Sequence, residues 1–99
     1  MHPLRARIDA LDAELVALLA RRAALIDEAA AIKLREGLPA RLPARVEQVA
    51  ANARRLAGEA GLDPDLAEAL WRLMMEHFIA REERLLAAGR GPTQGQARG

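Results

Sequence analysis

Two cations and one acid are the residues of this chain best placed to do chemistry. Arg22 and Lys33 are eleven residues apart, which at about 100° per residue is three helical turns plus roughly 20°, so a helix puts both on one face. Ile26 and Ala29 lie between them on that face, so the pair forms a short basic groove with an apolar floor. Arg22 also occupies a slot in an aliphatic seam, Leu4, Ile8, Leu11, Leu15, Leu18, Leu25, Ala29 and Ile32. An unpaired guanidinium there would cost roughly several kcal/mol in desolvation, so something anionic is expected to meet it. Two readings follow: an interchain salt bridge or a side chain snorkelling out of the seam, or a carboxylate site inside a helical bundle, suited to the bidentate fork of Arg and the mobile point charge of Lys. Arg21, adjacent but about 100° away, is expected to face solvent.

Further candidates are weaker when taken singly. Arg5, seventeen residues before Arg22, is roughly 100° off the Arg22–Lys33 face; it is a surface arginine unless an antiparallel partner helix carries it into the partner's groove. Arg45 opens the second helix, where it is either solvated or closes the same groove from above. Glu82 lies in an apolar row with Trp71, Met75, Phe78 and Leu85, and either pairs with one of the cations or is held partly neutral and used as a proton donor. His77, on the opposite face with Leu73 and Ala80, is expected to be a buried or interface histidine, since nothing at metal-ligand spacing accompanies it. The chain has no cysteine, no Ser-His-Asp or Cys-His arrangement and no Gly-rich phosphate loop. Cations plus one acid suit a dianionic substrate and a reaction driven by electrostatics, with no cofactor and no metal.

These side chains must be held by helices. Leu4 to Glu36 reads as one helix of about 50 Å, with Lys33 and Arg35 near its end as the macrodipole prefers and Gly37 and Pro39 stopping it. The doubled LPAR at Leu38–Arg41 and Leu42–Arg45 reads as a chance repeat within a loop. Pro43 suits the first turn of a second helix with Val46, Val49, Ala53 and Leu56 as its buried stripe, and Gly61 as its stop. Asp63 caps a third helix with Pro64 at its first position, running to about Ala88 and apolar on two opposite faces. No segment alternates with a period of two. The fold class expected is all-α, with three helices per chain in an intertwined helical homodimer, because the long first helix and two-faced third helix need more cover than a chain of 99 residues supplies. Residues 1–88 form the domain, and residues 89–99, rich in Gly and Gln, are expected to be a disordered tail.

Bulk properties agree. Half the residues are apolar, over a quarter are charged, and the net charge is +1 with acids and bases interleaved. That is the composition of a soluble globular domain and argues against a nucleic-acid binder, which would show a basic stripe with aromatic stacking partners. No signal peptide or membrane span is legible, so a cytoplasmic location without membrane partners is expected.

The stretch LRARIDALDAELVALLARRAALIDEAAAIK resembles the first helix of the all-α chorismate mutases. The family pattern is an Arg, an I-x-x-[IL]-D turn, a Leu-rich stretch, a paired Arg-Arg and a Lys eleven residues after the second arginine, here Arg5, Ile8 to Asp12, Arg21-Arg22 and Lys33. The resemblance covers about Leu4 to Leu86. It implies an intertwined dimer whose two sites are each completed by the partner's first helix. It further implies that Arg22 and the partner's Arg5 bind the two substrate carboxylates, that Lys33 binds a carboxylate and the ether oxygen, that Arg45 matches an arginine at the opening of the second helix, and that Glu82 stands where many members have a Gln at the ether oxygen. Leu42 and Val46 replace acids that hold the substrate hydroxyl in many members. The implied activity is cofactor-free rearrangement of chorismate to prephenate. Arg45-Val46 and the Gly-Leu-Asp opening of the third helix also resemble the isochorismate-pyruvate lyases, which form salicylate and pyruvate. A non-catalytic helical dimer acting as an interaction or regulatory module is the alternative of another class.

Overall fold

In the computed structural model, residues 2–97 are described, with side chains through residue 89. Three helices follow in order: α1 over His2–Glu36, α2 over Pro43–Ala60 and α3 over Pro64–Ala97. The tail expected over residues 89–99 lies, apart from Gly89, outside the residues whose side chains are described. Among the described residues all regular structure is helical, as the all-α reading requires.

The helix ends are set by a few residues. After α1, Gly37 adopts φ 71°, and the Leu38 amide donates to the Lys33 carbonyl at 2.9 Å, which satisfies a carbonyl the helix leaves open. Gly61 does the same for α2 at φ 81° and ψ 20°, donating to the carbonyls of Ala57 and Gly58. Both are left-handed conformations that a Cβ would disfavour. Pro43 opens α2 without a side-chain cap, while Asp63 Oδ1 accepts from the Asp65 amide at 2.9 Å at the start of α3.

α2 runs antiparallel to α3. Ion pairs mark the register: Arg54 with Asp65 and Glu68, and Glu47 with Arg72, continued by Arg41 of the preceding loop with Glu76. Where the two helices pack, Ala50, Ala53 and Ala57 of α2 and Ala67 of α3 are all buried. The core around Ala40, Ala50, Met75, Ile79 and Leu86 is completed by half-buried Leu34, Val46, Val49 and Trp71. Leu56 and Leu85, expected inside, are instead about half exposed. The buried stripe of α2 passes through Ala57, one residue and about 100° from Leu56, and that of α3 through Leu86, by the same step.

α1 meets only the second half of α3, and does so with about its own last three turns. Asp27 pairs with Arg81 at 2.9 Å, Ala30 is buried, and a Cβ at Gly89 would come 2.8 Å from Leu34 Cδ2. Every residue from 2 to 21 is exposed. The helix extends past the other two, giving extents of 63 × 28 × 17 Å. The seam of α1 is therefore uncovered within one chain: Leu4, Ile8, Leu11, Leu15 and Leu18 are each between 47% and 59% exposed. Leu66, Leu70 and Leu73 on α3 are open as well, as is His77, which was expected to be buried or at an interface; its ring stands edge-on to Phe78. No helix among the described residues is long and apolar enough to cross a membrane.

Candidate functional site

One cavity of about 410 Å³ lies where all three helices and the α1–α2 loop meet. α1 contributes Arg22, Ile26, Ala29 and Lys33. Their spacing of four, three and four keeps one face of the helix toward the cavity, and the basic groove with an aliphatic floor is present as the spacing suggested. The loop adds Ala40 and Leu42, α2 adds Arg45, Val46 and Val49, and α3 adds Met75, Phe78, Ile79 and Glu82. The aliphatic side chains form continuous walls, so the polar groups stand out against a surface that competes weakly for a ligand's charges.

Glu82 is the most deeply held of these groups, 3% exposed. Lys33 Nζ donates to Glu82 Oε1 at 2.8 Å and to the Ala40 carbonyl at 2.7 Å. Of the two roles open to Glu82, the structure displays the ion pair, and the partner is Lys33. A carboxylate buried beside Met75 and Ile79 is tolerable only with such compensation. Its row differs from the expected one at the far end, where Leu86 is buried and Leu85 is not.

Arg22 is half-buried and lines the cavity, and among the described residues no carboxylate lies within ion-pair distance of it. The anion expected to meet this guanidinium is not found among the described residues. Arg45 is exposed at the rim and donates to Gln48 Oε1 at 2.7 Å, a contact a stronger acceptor could replace. Arg5 is not among the cavity residues: it lies in the uncovered part of α1, seventeen residues or about 25 Å along the helix axis from Arg22. Four of the five candidates therefore converge, and the fifth does not within one chain. With Lys33 and Glu82 offsetting each other, Arg22 and Arg45 leave the cavity electropositive, suited to a small molecule bearing carboxylates. Among the described residues no group of three or more His, Asp or Glu side chains could hold a metal ion.

Sequence reasoning missed the backbone acceptor at Ala40, which no residue type announces. It also missed the Asp27–Arg81 tie. Each of those residues adjoins a cavity residue, Ile26 or Glu82, and their opposite charges were the available signal. Asp27 Oδ1 is buried without a hydrogen-bond partner.

The family model of chorismate mutase type II matches residues 4–83. The chain is 38% identical over 82 residues to the T-protein of Enterobacter agglomerans, covering 82% of this chain and 22% of that protein. It is 33% identical over 92 residues to a 4-amino-4-deoxychorismate mutase of Streptomyces pristinaespiralis, covering 93% and 71%. With the chorismate mutase of Methanocaldococcus jannaschii it shares 28% over 83 residues, covering 84% of each. The chain thus spans about a fifth of the length of the T-protein it matches. No solved structure matches the chain significantly.

Proposed function

The chain belongs to the chorismate mutase type II family, and from that premise we propose that its cavity rearranges chorismate to prephenate without a cofactor. The observation that carries this reading is the convergence of Arg22, Lys33, Arg45 and Glu82 on one aliphatic cavity of about 410 Å³. In this rearrangement one C–O bond breaks as a C–C bond forms, and negative charge grows on the ether oxygen. The residues need only hold a reactive conformer and stabilise that charge. Arg22 takes a substrate carboxylate, the demand left open by the lack of an ion-pair partner for it among the described residues. Arg45 closes the groove at the rim. Lys33, fixed between Glu82 and the Ala40 carbonyl, supplies positive charge to a carboxylate and the ether oxygen with little reorganisation. Glu82 completes the contact to the ether oxygen when it carries a proton, since a carboxylate cannot donate.

The working form in this proposal is a homodimer. The exposed seam of α1 and the open leucines of α3 are large apolar side chains of the kind an interaction face covers. An antiparallel partner helix would also bring its Arg5 to the second substrate carboxylate, completing each site across the interface. Light scattering after gel filtration is expected to report twice 10.8 kDa. The test of the activity is to incubate the protein separately with chorismate and isochorismate and identify the products. Prephenate from chorismate is the expected result. Salicylate and pyruvate from isochorismate, with chorismate unchanged, would replace the mutase reading by the lyase. If neither substrate turns over and neither protects the fold against heat, the non-catalytic module stands instead.

A further inference from the structure

The loop between α1 and α2, residues 37–42, is fastened to α3 at two adjacent residues. Ala40, 5% exposed, packs into the core with Met75, Ile79 and Leu86. Arg41 bridges to Glu76 on α3 through both prongs of its guanidinium, Nη1 to Oε2 at 2.9 Å and Nη2 to Oε1 at 2.6 Å. Such a fork fixes orientation as well as distance. Between these anchors the Ala40 carbonyl accepts from Lys33 Nζ at 2.7 Å. Behind the loop lies a second hollow of about 350 Å³, bounded by Pro39, Ala40, Arg41, Glu83, Leu86 and Ala87. On the α3 side, the Ala40 methyl and the Arg41–Glu76 ion pair therefore hold a carbonyl that the site depends on.

We propose that Arg41 and Glu76 are positioning residues, whose fork closes the loop onto α3 and thereby fixes the Ala40 carbonyl that sets the Lys33 ammonium over the cavity. Neither side chain lines the cavity, so neither touches the substrate; they act through Ala40 and Lys33. The catalytic consequence rests on the mutase reading, whereas the placement of Lys33 can be read without turnover. Lys33 is the chain's only lysine. Amine acylation followed by peptide mass spectrometry therefore reports this one side chain, apart from the amino terminus.

The experiment compares the full-length wild type with Arg41→Gln, Glu76→Gln and the reversed pair Arg41→Glu/Glu76→Arg. It measures the rate of Lys33 acetylation by sulfosuccinimidyl acetate at one pH, together with kcat and KM for chorismate. Both side chains are substantially exposed, 44% and 59%, so the variants are expected to fold, and melting curves check that they do. Each single variant should acetylate at Lys33 about three- to fivefold faster, the scale expected of one exposed ion pair. It should lose a similar factor in kcat with a smaller change in KM. The reversed pair should return both readings to within about twofold of wild type, a rescue that lost side-chain volume or general loosening would not give. The proposal is overturned if Lys33 acetylation is unchanged in both single variants, or if the reversed pair is no better than they are. A wild type inactive on chorismate, with Lys33 still unmasked in the single variants and masked again in the reversed pair, would remove the mutase reading and leave this proposal standing.

Discussion

Replacing Lys33 by methionine tests the one buried ion pair of the site. The substitution keeps the length of the side chain and removes its charge, leaving Glu82 in a row with Met75, Ile79 and Leu86. That carboxylate is 3% exposed and receives the ammonium at 2.8 Å. Removing one member of a buried pair costs about 3–5 kcal/mol because the other charge is left uncompensated. The lower end is expected here, since Arg22 and Arg45 line the same cavity and soften the field. Glu82→Leu should cost less, about 1–2 kcal/mol, because the ammonium keeps the Ala40 carbonyl at 2.7 Å and its side chain is 17% exposed. The double variant Lys33→Met/Glu82→Leu has no stranded charge and should return to within about 1 kcal/mol of wild type. The double-mutant cycle then closes on a coupling of roughly 3 kcal/mol. Urea unfolding followed by circular dichroism is the assay, run at a single protein concentration because the proposed dimer would make stability concentration-dependent. Lys33→Met within about 0.5 kcal/mol of wild type, or a double variant no more stable than Lys33→Met, would refute the view that this pair is desolvated and mutually compensating.

Arg22→Leu completes the aliphatic seam and should leave the fold as stable or more so, while chorismate turnover falls about 100-fold or more; Arg21→Leu, which alters an exposed residue outside the cavity, should leave it within about twofold. Loss of folding in Arg22→Leu would make Arg22 a structural residue. If Glu82 donates to the ether oxygen, Glu82→Gln, a permanent donor of nearly the same shape, should keep chorismate turnover while Glu82→Ala loses it; a Gln variant no better than the Ala variant removes Glu82 from the mechanism. Hydrogen bonds from Arg72 hold the Glu47 and Glu68 carboxyls below their ordinary value of 4.5, and the pair from Arg41 does the same for Glu76. A depressed carboxyl stabilises the fold fully above its unfolded value and loses that contribution as pH falls through its folded value. The melting temperature should therefore hold from neutral pH to about 5 and drop below about 4.5, and a Glu47→Gln/Glu68→Gln/Glu76→Gln variant should show a shallower drop.

What was legible in the sequence was periodic or chemically punctuated. The α1 face of Arg22, Ile26, Ala29 and Lys33 follows from helical geometry alone, and Gly37, Pro43, Gly61, Asp63 and Pro64 mark the helix ends because few other residues satisfy those backbone conformations and caps. Glu82 stood out as an acid in an apolar row. The misplacement of Leu56 and Leu85 has one cause: where apolar residues are adjacent, as at Leu56-Ala57 and Leu85-Leu86, hydrophobicity alone does not say which faces inward. The Ala40 carbonyl is backbone chemistry and carries no residue signature. Arg41 and Glu76 were indistinguishable from surface charges until the loop placed them opposite each other. Arg5, by its angular offset, was a surface arginine unless a partner helix carried it into another groove; only the family resemblance implied that role, and a single chain leaves it outside the cavity.

Subunit complementation tests the shared-site account most directly. Arg5→Ala and Lys33→Ala chains, each inactive alone, are mixed under conditions in which subunits exchange, with exchange verified by native mass spectrometry, and prephenate formation from chorismate is followed. Each heterodimer then holds one doubly defective site and one intact site, and activity should reappear, approaching about a quarter of the wild-type rate when half the dimers in an equal mixture are mixed. Confirmed exchange with no recovery of prephenate formation would contradict the account, because Arg5 would then not serve the partner's cavity.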